Sequence, residues 1–325
     1  MSVMPRVYIC DPIPENGVLL LKHNSFVVDI NSSGKDLTRD GLKKIVSEYD
    51  AVLTFLTNKI DKEIISFASK KLKIISNFTV GFDNLDVLEI KAKGIVACNT
   101  PGVASESVAE HTFALILALN KKLLDQDKFV RDGKYKRWNP SLFLSHQIWG
   151  QTIGIIGLGR IGTFVSQVAC QGFRMKILYF DPKKAEDFEL LTGARYLSVE
   201  EILKEADIVS LHIPLTENTK HLIGSKEFKM MKNTAILINT ARGPIVDEEA
   251  LVWALNEGEI AGAGLDVYEN EPEINKELIQ SKKVILTPHT ASGTFETREQ
   301  MSRIAAQNII DVFSGKEPLG LIKTY

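Results

Sequence analysis

Cysteine is scarce: Cys10, Cys98 and Cys170 are the three in 325 residues, an odd number with no C-x-x-C pair. That spacing excludes a dense disulfide framework and offers no paired zinc ligands. Each cysteine sits in an apolar run and reads as a buried, reduced thiol. Long apolar runs are missing too. The longest, residues 113–119, falls far short of the ~20 residues that a membrane-spanning helix needs. Residues 1–6 lack the apolar core of a signal peptide. A cytoplasmic protein with no membrane partner is the expectation. Neither charge is in excess, since 39 Lys plus Arg face 41 Asp plus Glu for a net charge of -2. No global field therefore recruits nucleic acid. The six histidines, His23, His111, His146, His212, His221 and His289, share no ligand spacing with cysteines or acids, and no metal site is expected. His111, inside an apolar stretch, reads as a packing residue.

The chain does contain 44% apolar and 25% charged residues, the balance of a globular protein, and its length suggests about two domains. Short β-rich runs at 6–10, 26–30, 51–54, 73–77 and 95–98 alternate with amphipathic stretches at 15–23, 38–47, 61–69 and 84–93. Such alternation predicts a parallel sheet with helices on its faces. One long helix is expected from Ser105 to about Arg131, with Ser105 as N-cap, and then a loop over 132–147 without a clean period. A second alternating series opens at Gln151, with strands at 152–156, 176–180, 208–211, 235–239, 262–266 and 284–286 and a closing helix at 295–313. The expected fold class is α/β, in two doubly wound parallel-sheet domains.

Residues 151–162 place strand, turn and helix start in one word, with glycines at Gly157, Gly159 and Gly162. In a dinucleotide fold the first permits the tight turn, the second lets the backbone approach a pyrophosphate, and the third lets helix and strand pack closely. The helix N-terminus then offers N–H groups and a positive dipole end to the phosphates. Glycines also make ordinary turns, so the pattern alone is weak. The next strand ends at Asp181, nineteen positions after Gly162, near the spacing of a ribose-binding carboxylate. An anion there accepts from both ribose hydroxyls and repels a 2′-phosphate. NAD (NADH) is expected ahead of NADP, although Lys183 and Lys184 follow closely and soften that rejection.

Three later words, 239–243, 269–272 and 287–290, each follow a predicted strand and supply Arg242, Glu271 and His289. In a doubly wound sheet such loops, beyond the carboxyl ends of the strands, meet ligands. Reducing a 2-oxo acid needs a clamp for the carboxylate, a proton for the nascent alkoxide and a nearby hydride. The planar fork of Arg242 suits the clamp, and the imidazole of His289 suits the proton donor. Glu271 is expected to pair with His289 and favour its imidazolium form. Taken singly, each has a duller reading: a strand cap for His289, a surface turn for Arg242, a solvated acid for Glu271.

These words stand in order with Thr79-Val80-Gly81-Phe82-Asp83-Asn84, Asn99-Thr100-Pro101-Gly102-Val103, Val108-Ala109-Glu110 and Gly264-Leu265-Asp266-Val267. The whole set resembles the D-isomer-specific 2-hydroxyacid dehydrogenases, most closely their glyoxylate and hydroxypyruvate reductase branch, nearly end to end. The resemblance implies a catalytic trio at Arg242, Glu271 and His289. It also puts the backbone N–H groups of Val80 and Gly81 on the substrate carboxylate, and Phe55 as an apolar wall beside the substrate. Leu158, Gly159, Arg160, Ile161, Asp181, Thr240, Ala241 and Asp266 match cofactor-contacting positions, with Asp266 near the nicotinamide carboxamide. His212, Pro214 and Thr219 border the adenosine side.

The resemblance further implies a discontinuous, flavodoxin-like substrate domain (1–100 plus 291–325), a Rossmann NAD-binding domain (101–290) and an interdomain cleft. A homodimer through the cofactor domain is implied as well, with the Ser105 helix and the 132–147 loop as its interface. The partner is a small-molecule 2-oxo or 2-hydroxy acid. Phe82 stands where the branch often has tyrosine, Thr290-Ala291 replaces a common isoleucine–glycine, and Asp181 differs from the NADP-using reductases. These departures leave the reaction class intact and the preferred substrate open.

Two kinds of alternative compete. Within the family stand D-lactate dehydrogenase and phosphoglycerate dehydrogenase. The latter often carries a regulatory domain, for which the chain leaves no room beyond Tyr325, and its phosphate calls for a basic cluster where Lys59 and Lys62 are the candidates. From another class comes a non-catalytic, NADH-sensing, corepressor-like protein, because function lives in the site and not the scaffold.

Overall fold

The computed structural model describes residues 4–323. The chain divides into two compact units, one running to Ala104 and resuming at Gly293, the other spanning Ser105–Ser292. In the first unit β1 (Arg6–Ile9), β2 (Val27–Ile30), β3 (Ala51–Thr54), β4 (Ile74–Asn77) and β5 (Val96–Cys98) form a parallel sheet. The order β2-β1-β3-β4-β5 is the flavodoxin-like doubly wound order. Strands β3 and β4 are buried along their whole length, as strands covered on both faces must be. Each fully buried isoleucine there, such as Ile74 or Ile75, contributes roughly 2 kcal/mol. The helix Phe295–Phe313 packs on the helix Glu15–His23 so closely that a Cβ at Gly17 would lie 2.3 Å from Ser302 Oγ. Ser76 of β4 adds a hydrogen bond to the Ala305 carbonyl at 3.0 Å.

The second unit holds β6 (Thr152–Ile156), β7 (Lys176–Phe180), β8 (Arg195–Tyr196), β9 (Ile208–Leu211), β10 (Ile236–Asn239), β11 (Gly262–Leu265) and β12 (Val284–Leu286). Every pairing is parallel, in the order β12-β11-β10-β9-β6-β7-β8. That is the dinucleotide-fold order with one strand added at the end. The winding reverses between β6 and β9, so ligands are expected outside the carboxyl ends of the strands around that point.

Two sequence expectations need correction. The sequence predicts no strand at β8, whose two residues pair with Leu178 and Tyr179 and are too few to carry a period. The single helix expected from Ser105 to Arg131 is two, Ser105–Asn120 and Leu123–Arg131, and Ser105 is the first helical residue, not the cap before it. Lys122 breaks them with left-handed backbone, φ 54°. The ammonium groups of Lys121 and Lys122 donate to the carbonyls of His146 and Leu144, both at 3.1 Å. The first helix is buried along one face while the second buries nothing, and hydrophobic period alone does not mark that change. Among the described residues, no helix is long and apolar enough to cross a membrane, and no group of His, Cys, Asp and Glu is placed to hold a metal ion.

Candidate active site

At the carboxyl end of β6, Gly157 has φ 100°, a region that residues with a Cβ avoid. A Cβ there would lie 2.6 Å from the His212 carbonyl oxygen, and one at Gly162 would stand 2.1 Å from the Gly157 carbonyl oxygen. Gly159 precedes the helix Arg160–Phe173, whose first N–H groups carry no side-chain cap. Apart from its own chain neighbours, no protein atom comes within 4 Å of where a Cβ of Gly159 would be. Bare amides at a helix start, approached by backbone only, are what a pyrophosphate requires. Asp181, just past β7, accepts the Leu158 N–H on Oδ2 at 2.9 Å and the Lys183 N–H on Oδ1 at 3.2 Å. The carboxylate is fixed beside the glycine turn with lone pairs left for two hydroxyls. Lys184 is engaged by Glu189 at 3.2 Å. The residues therefore fit a dinucleotide.

Past β9, half-buried His212 bonds Ser210 Oγ through Nε2 at 2.9 Å, and burial pushes its imidazole down to about 3. Thr219 Oγ1 donates to the Pro214 carbonyl and accepts the Thr216 N–H, both at 2.7 Å, which closes that turn. His212 makes stability depend on pH in a stated direction. Its folded pKa lies below the unfolded value, so the unfolded chain binds the extra proton and stability falls as pH drops below about 6.5. Between pH 7 and pH 5 the loss is about 2 kcal/mol. Denaturant titrations should show that slope flattened in His212→Asn. An unchanged slope would contradict the assignment.

Strands β10, β11 and β12 are neighbours, so the loops that follow them lie side by side, and these carry Arg242, Glu271 and His289. Buried Asn239 accepts the Ala241 N–H at 3.0 Å and donates to the Arg242 carbonyl at 2.9 Å. That bridge fixes the backbone of Arg242, whose Nη1 donates to the Ala241 carbonyl at 2.7 Å. The next residue, Gly243, meets the β11 loop backbone to backbone: a Cβ there would lie 1.9 Å from the carbonyl carbon and oxygen of Tyr268.

Tyr268 donates its N–H to Glu271 Oε1 at 3.0 Å and its hydroxyl to the Thr287 carbonyl at 2.8 Å. Glu271 Oε2 lies 2.7 Å from His289 Nδ1. An ionised carboxylate only accepts, so Nδ1 carries the proton and Nε2 is the nitrogen left to exchange one. His289 sits at φ 53°, and its N–H donates to the Asp266 carbonyl at 2.8 Å.

Asp266 has no exposed surface. Its carboxylate accepts the Thr287 hydroxyl at 2.6 Å, the Thr290 N–H at 2.9 Å and the Ala291 N–H at 2.8 Å. Burial by itself pushes this carboxyl up; hydrogen bonds from His111, Thr287, Thr290 and Ala291 outweigh it and hold it below the usual carboxylate range. Each of these bonds anchors the loop that presents His289. His111 Nε2 lies 3.0 Å from Thr287 Oγ1, and because that hydroxyl donates to Asp266, the histidine donates to it. The residue read from sequence as packing thus reaches the His289 loop. A further pair missed by sequence, His221 Nε2 with Glu269 Oε1 at 2.7 Å, braces the loop of Glu271. Motif spacing gives no signal for either, because both are contacts between distant segments.

Thr240 Oγ1 lies 3.3 Å from Thr112 Oγ1, while Phe55, Val80 and Gly81 belong to the first unit. Their loops are joined there by side-chain amides: Asn84 Nδ2 donates to the Phe55 carbonyl at 2.9 Å, and Asn77 Nδ2 to the Gly81 carbonyl at 3.0 Å. The ring of Phe55 packs on Phe78 with centroids 5.3 Å apart.

Comparison with known proteins bears on this geometry. A family model described as D-isomer specific 2-hydroxyacid dehydrogenase, NAD binding domain, matches residues 113–291. The glyoxylate reductase of Thermococcus litoralis is 44% identical over 322 residues, covering 98% of this chain and 96% of the relative. Among solved structures, a Thermus thermophilus protein matches with a TM-score of 0.91 at 36% identity, over 98% of this chain and 100% of its own. A glyoxylate reductase from Paecilomyes thermophila matches with a TM-score of 0.86 at 29% identity, over 99% of both chains.

Proposed function

We propose, for a chain that belongs to the D-isomer specific 2-hydroxyacid dehydrogenase family, the NADH-dependent reduction of a small 2-oxo acid to the D-2-hydroxy acid. Glyoxylate and hydroxypyruvate are the substrates proposed. The observation that carries this reading is the 2.7 Å bond between Glu271 and His289 Nδ1, which leaves one imidazole nitrogen to serve a substrate. The cofactor, when bound, supplies the hydride. The glycine turn and the bare amides at the helix start hold its pyrophosphate, and Asp181 its ribose. Arg242 grips the substrate carboxylate and polarises the keto oxygen. In the first unit the family resemblance gives the amides of Val80 and Gly81 the role of donors to a substrate carboxylate, and Phe55 that of an apolar wall. His289 Nε2 delivers the proton to the alkoxide oxygen as it forms, and Glu271 stabilises the charged imidazole that precedes transfer. Loss of NADH absorbance with either acid tests the reading; NADH binding without consumption would favour a sensor instead.

Preference for NADH over NADPH belongs to the same proposal, supported by the fixed Asp181 carboxylate and by the pairing of Lys184 with Glu189. Asp181→Ser should raise the NADPH-to-NADH ratio of kcat/KM by about tenfold, the effect of roughly 1.4 kcal/mol. A ratio that stays put would mean that another group reads the ribose.

A homodimer through the second unit is proposed as well. The helix Leu123–Arg131 buries nothing of its own, and Leu124, Trp138 and Leu144 are 61%, 74% and 67% exposed. Exposed apolar side chains of this kind fit an interface, and light scattering of the purified protein decides it. A cytoplasmic location is proposed from the free, buried Cys10 and Cys98, to be checked by cell fractionation.

A further inference from the structure

We propose that Asn99 is a positioning residue for substrate: it aims the backbone amides of Val80 and Gly81 at the carboxylate of the 2-oxo acid. The inference rests on the reductase reading and goes beyond it, to what orients the two amides. A trans peptide points its carbonyl and the following N–H in opposite directions. The Thr79 carbonyl accepts the Thr100 N–H at 2.9 Å, so the Val80 N–H turns away from the 99–100 segment. The Val80 carbonyl accepts Asn99 Nδ2 at 2.6 Å, so the Gly81 N–H turns away from that segment too. In an extended strand successive amides alternate sides; here both carbonyls are drawn to one side and both N–H groups to the other. Among the described residues neither N–H has a hydrogen-bond partner. Two adjacent bare amides on one side form a concavity for an anion.

The loop is held from its other end as well. The Gly81 carbonyl accepts Thr79 Oγ1 at 2.6 Å and Asn77 Nδ2 at 3.0 Å. Asn77 is fully buried; it donates to Asn84 Oδ1 at 3.0 Å and accepts the Thr54 hydroxyl at 3.0 Å. Asn84 then donates to the carbonyls of Phe55 and Asn58, at 2.9 and 3.1 Å. Asn99 itself has little freedom. Its N–H donates to the Gly320 carbonyl and its carbonyl accepts Asn308 Nδ2, both at 2.9 Å. A Cβ at Gly320 would lie 2.0 Å from the Asn99 carbonyl oxygen. With the backbone fixed on that side, the Asn99 side chain is set toward the Val80 carbonyl.

Alanine at Asn99 removes the donor and lets the Val80–Gly81 peptide rotate. The carboxylate is unchanged between ground and transition states, so the loss falls on KM more than on kcat. The test uses full-length Asn99→Ala and Asn99→Asp, the second keeping the shape while replacing the donor by an acceptor. Four quantities are read for each: glyoxylate KM and kcat, the Ki of oxamate as a non-reacting carboxylate probe, the NADH Kd, and Tm. Expected is a rise of about tenfold in KM and in oxamate Ki together, at least as large for Asp, with kcat within about threefold and NADH Kd unchanged. A KM and Ki that do not move in either folded variant overturn the proposal while leaving the reductase reading standing. So does a parallel loosening of NADH, the mark of general disorder. Wild-type protein that consumes no NADH with any 2-oxo acid overturns the parent reading, and this inference with it.

Discussion

Replacing His289 by alanine lowers kcat for 2-oxo acid reduction by about 10³-fold, inside the range that positioned proton transfer contributes. NADH affinity should hold, because the imidazole meets Glu271 and the glycine turn belongs to a different loop. Without Nε2 the alkoxide must draw its proton from water. Alanine at φ 53° also loses the side-chain bond to Glu271, a stability change of about 1 kcal/mol that could be mistaken for the catalytic effect. His289→Asn removes the ambiguity, since asparagine tolerates left-handed backbone. Both variants should lose the same activity, with the Asn variant melting closer to wild type. Stopped-flow NADH oxidation measures it, and an Asn variant that retains wild-type turnover sinks the assignment of the proton donor.

Gly243→Ala, a change of one carbon that alters no charge, should lower kcat/KM by about 10²-fold, the scale for a misplacement of roughly 1 Å. The added Cβ would sit 1.9 Å from the backbone of Tyr268, and backbone cannot yield as a flexible side chain does. One of two loops must move. The β10 loop carries Arg242. The β11 loop carries Glu271, tied to Tyr268 by the 3.0 Å bond from its N–H. Either shift displaces Arg242 or Glu271 relative to the other. Cofactor affinity, set at the β6 turn, should change far less. Kinetic constants alongside NADH titration check this, and an Ala variant of wild-type kcat/KM would show that the loops are not coupled through this contact.

Much of the fold is legible in the sequence because parallel strands covered on both faces appear as short apolar runs. Strands β3, β4, β6, β9 and β10 are all of that kind. The break at Lys122 is not legible, since helical period continues through it and the contacts made there, to the carbonyls of residues 144 and 146, come from a distant segment. At the site, Arg242, Glu271 and His289 stand out because their loops follow strands and their side chains are of the types that the proposed chemistry needs. The residues that hold those loops do not stand out. Asn239, Gly243, Tyr268 and Thr287 act through backbone contacts that exist only once β10, β11 and β12 are neighbours. Thr290 and Ala291 make the same point. Their amides bond Asp266, a role indifferent to the side chains in which they depart from the family pattern.

The most direct measurement is the reaction of the purified protein with NADH and hydroxypyruvate, followed at the nicotinamide absorbance band with the product resolved on a chiral column. NADH consumed in step with D-glycerate is the predicted result. Tight NADH binding with no consumption on hydroxypyruvate or glyoxylate, or formation of the L-product, would contradict the account.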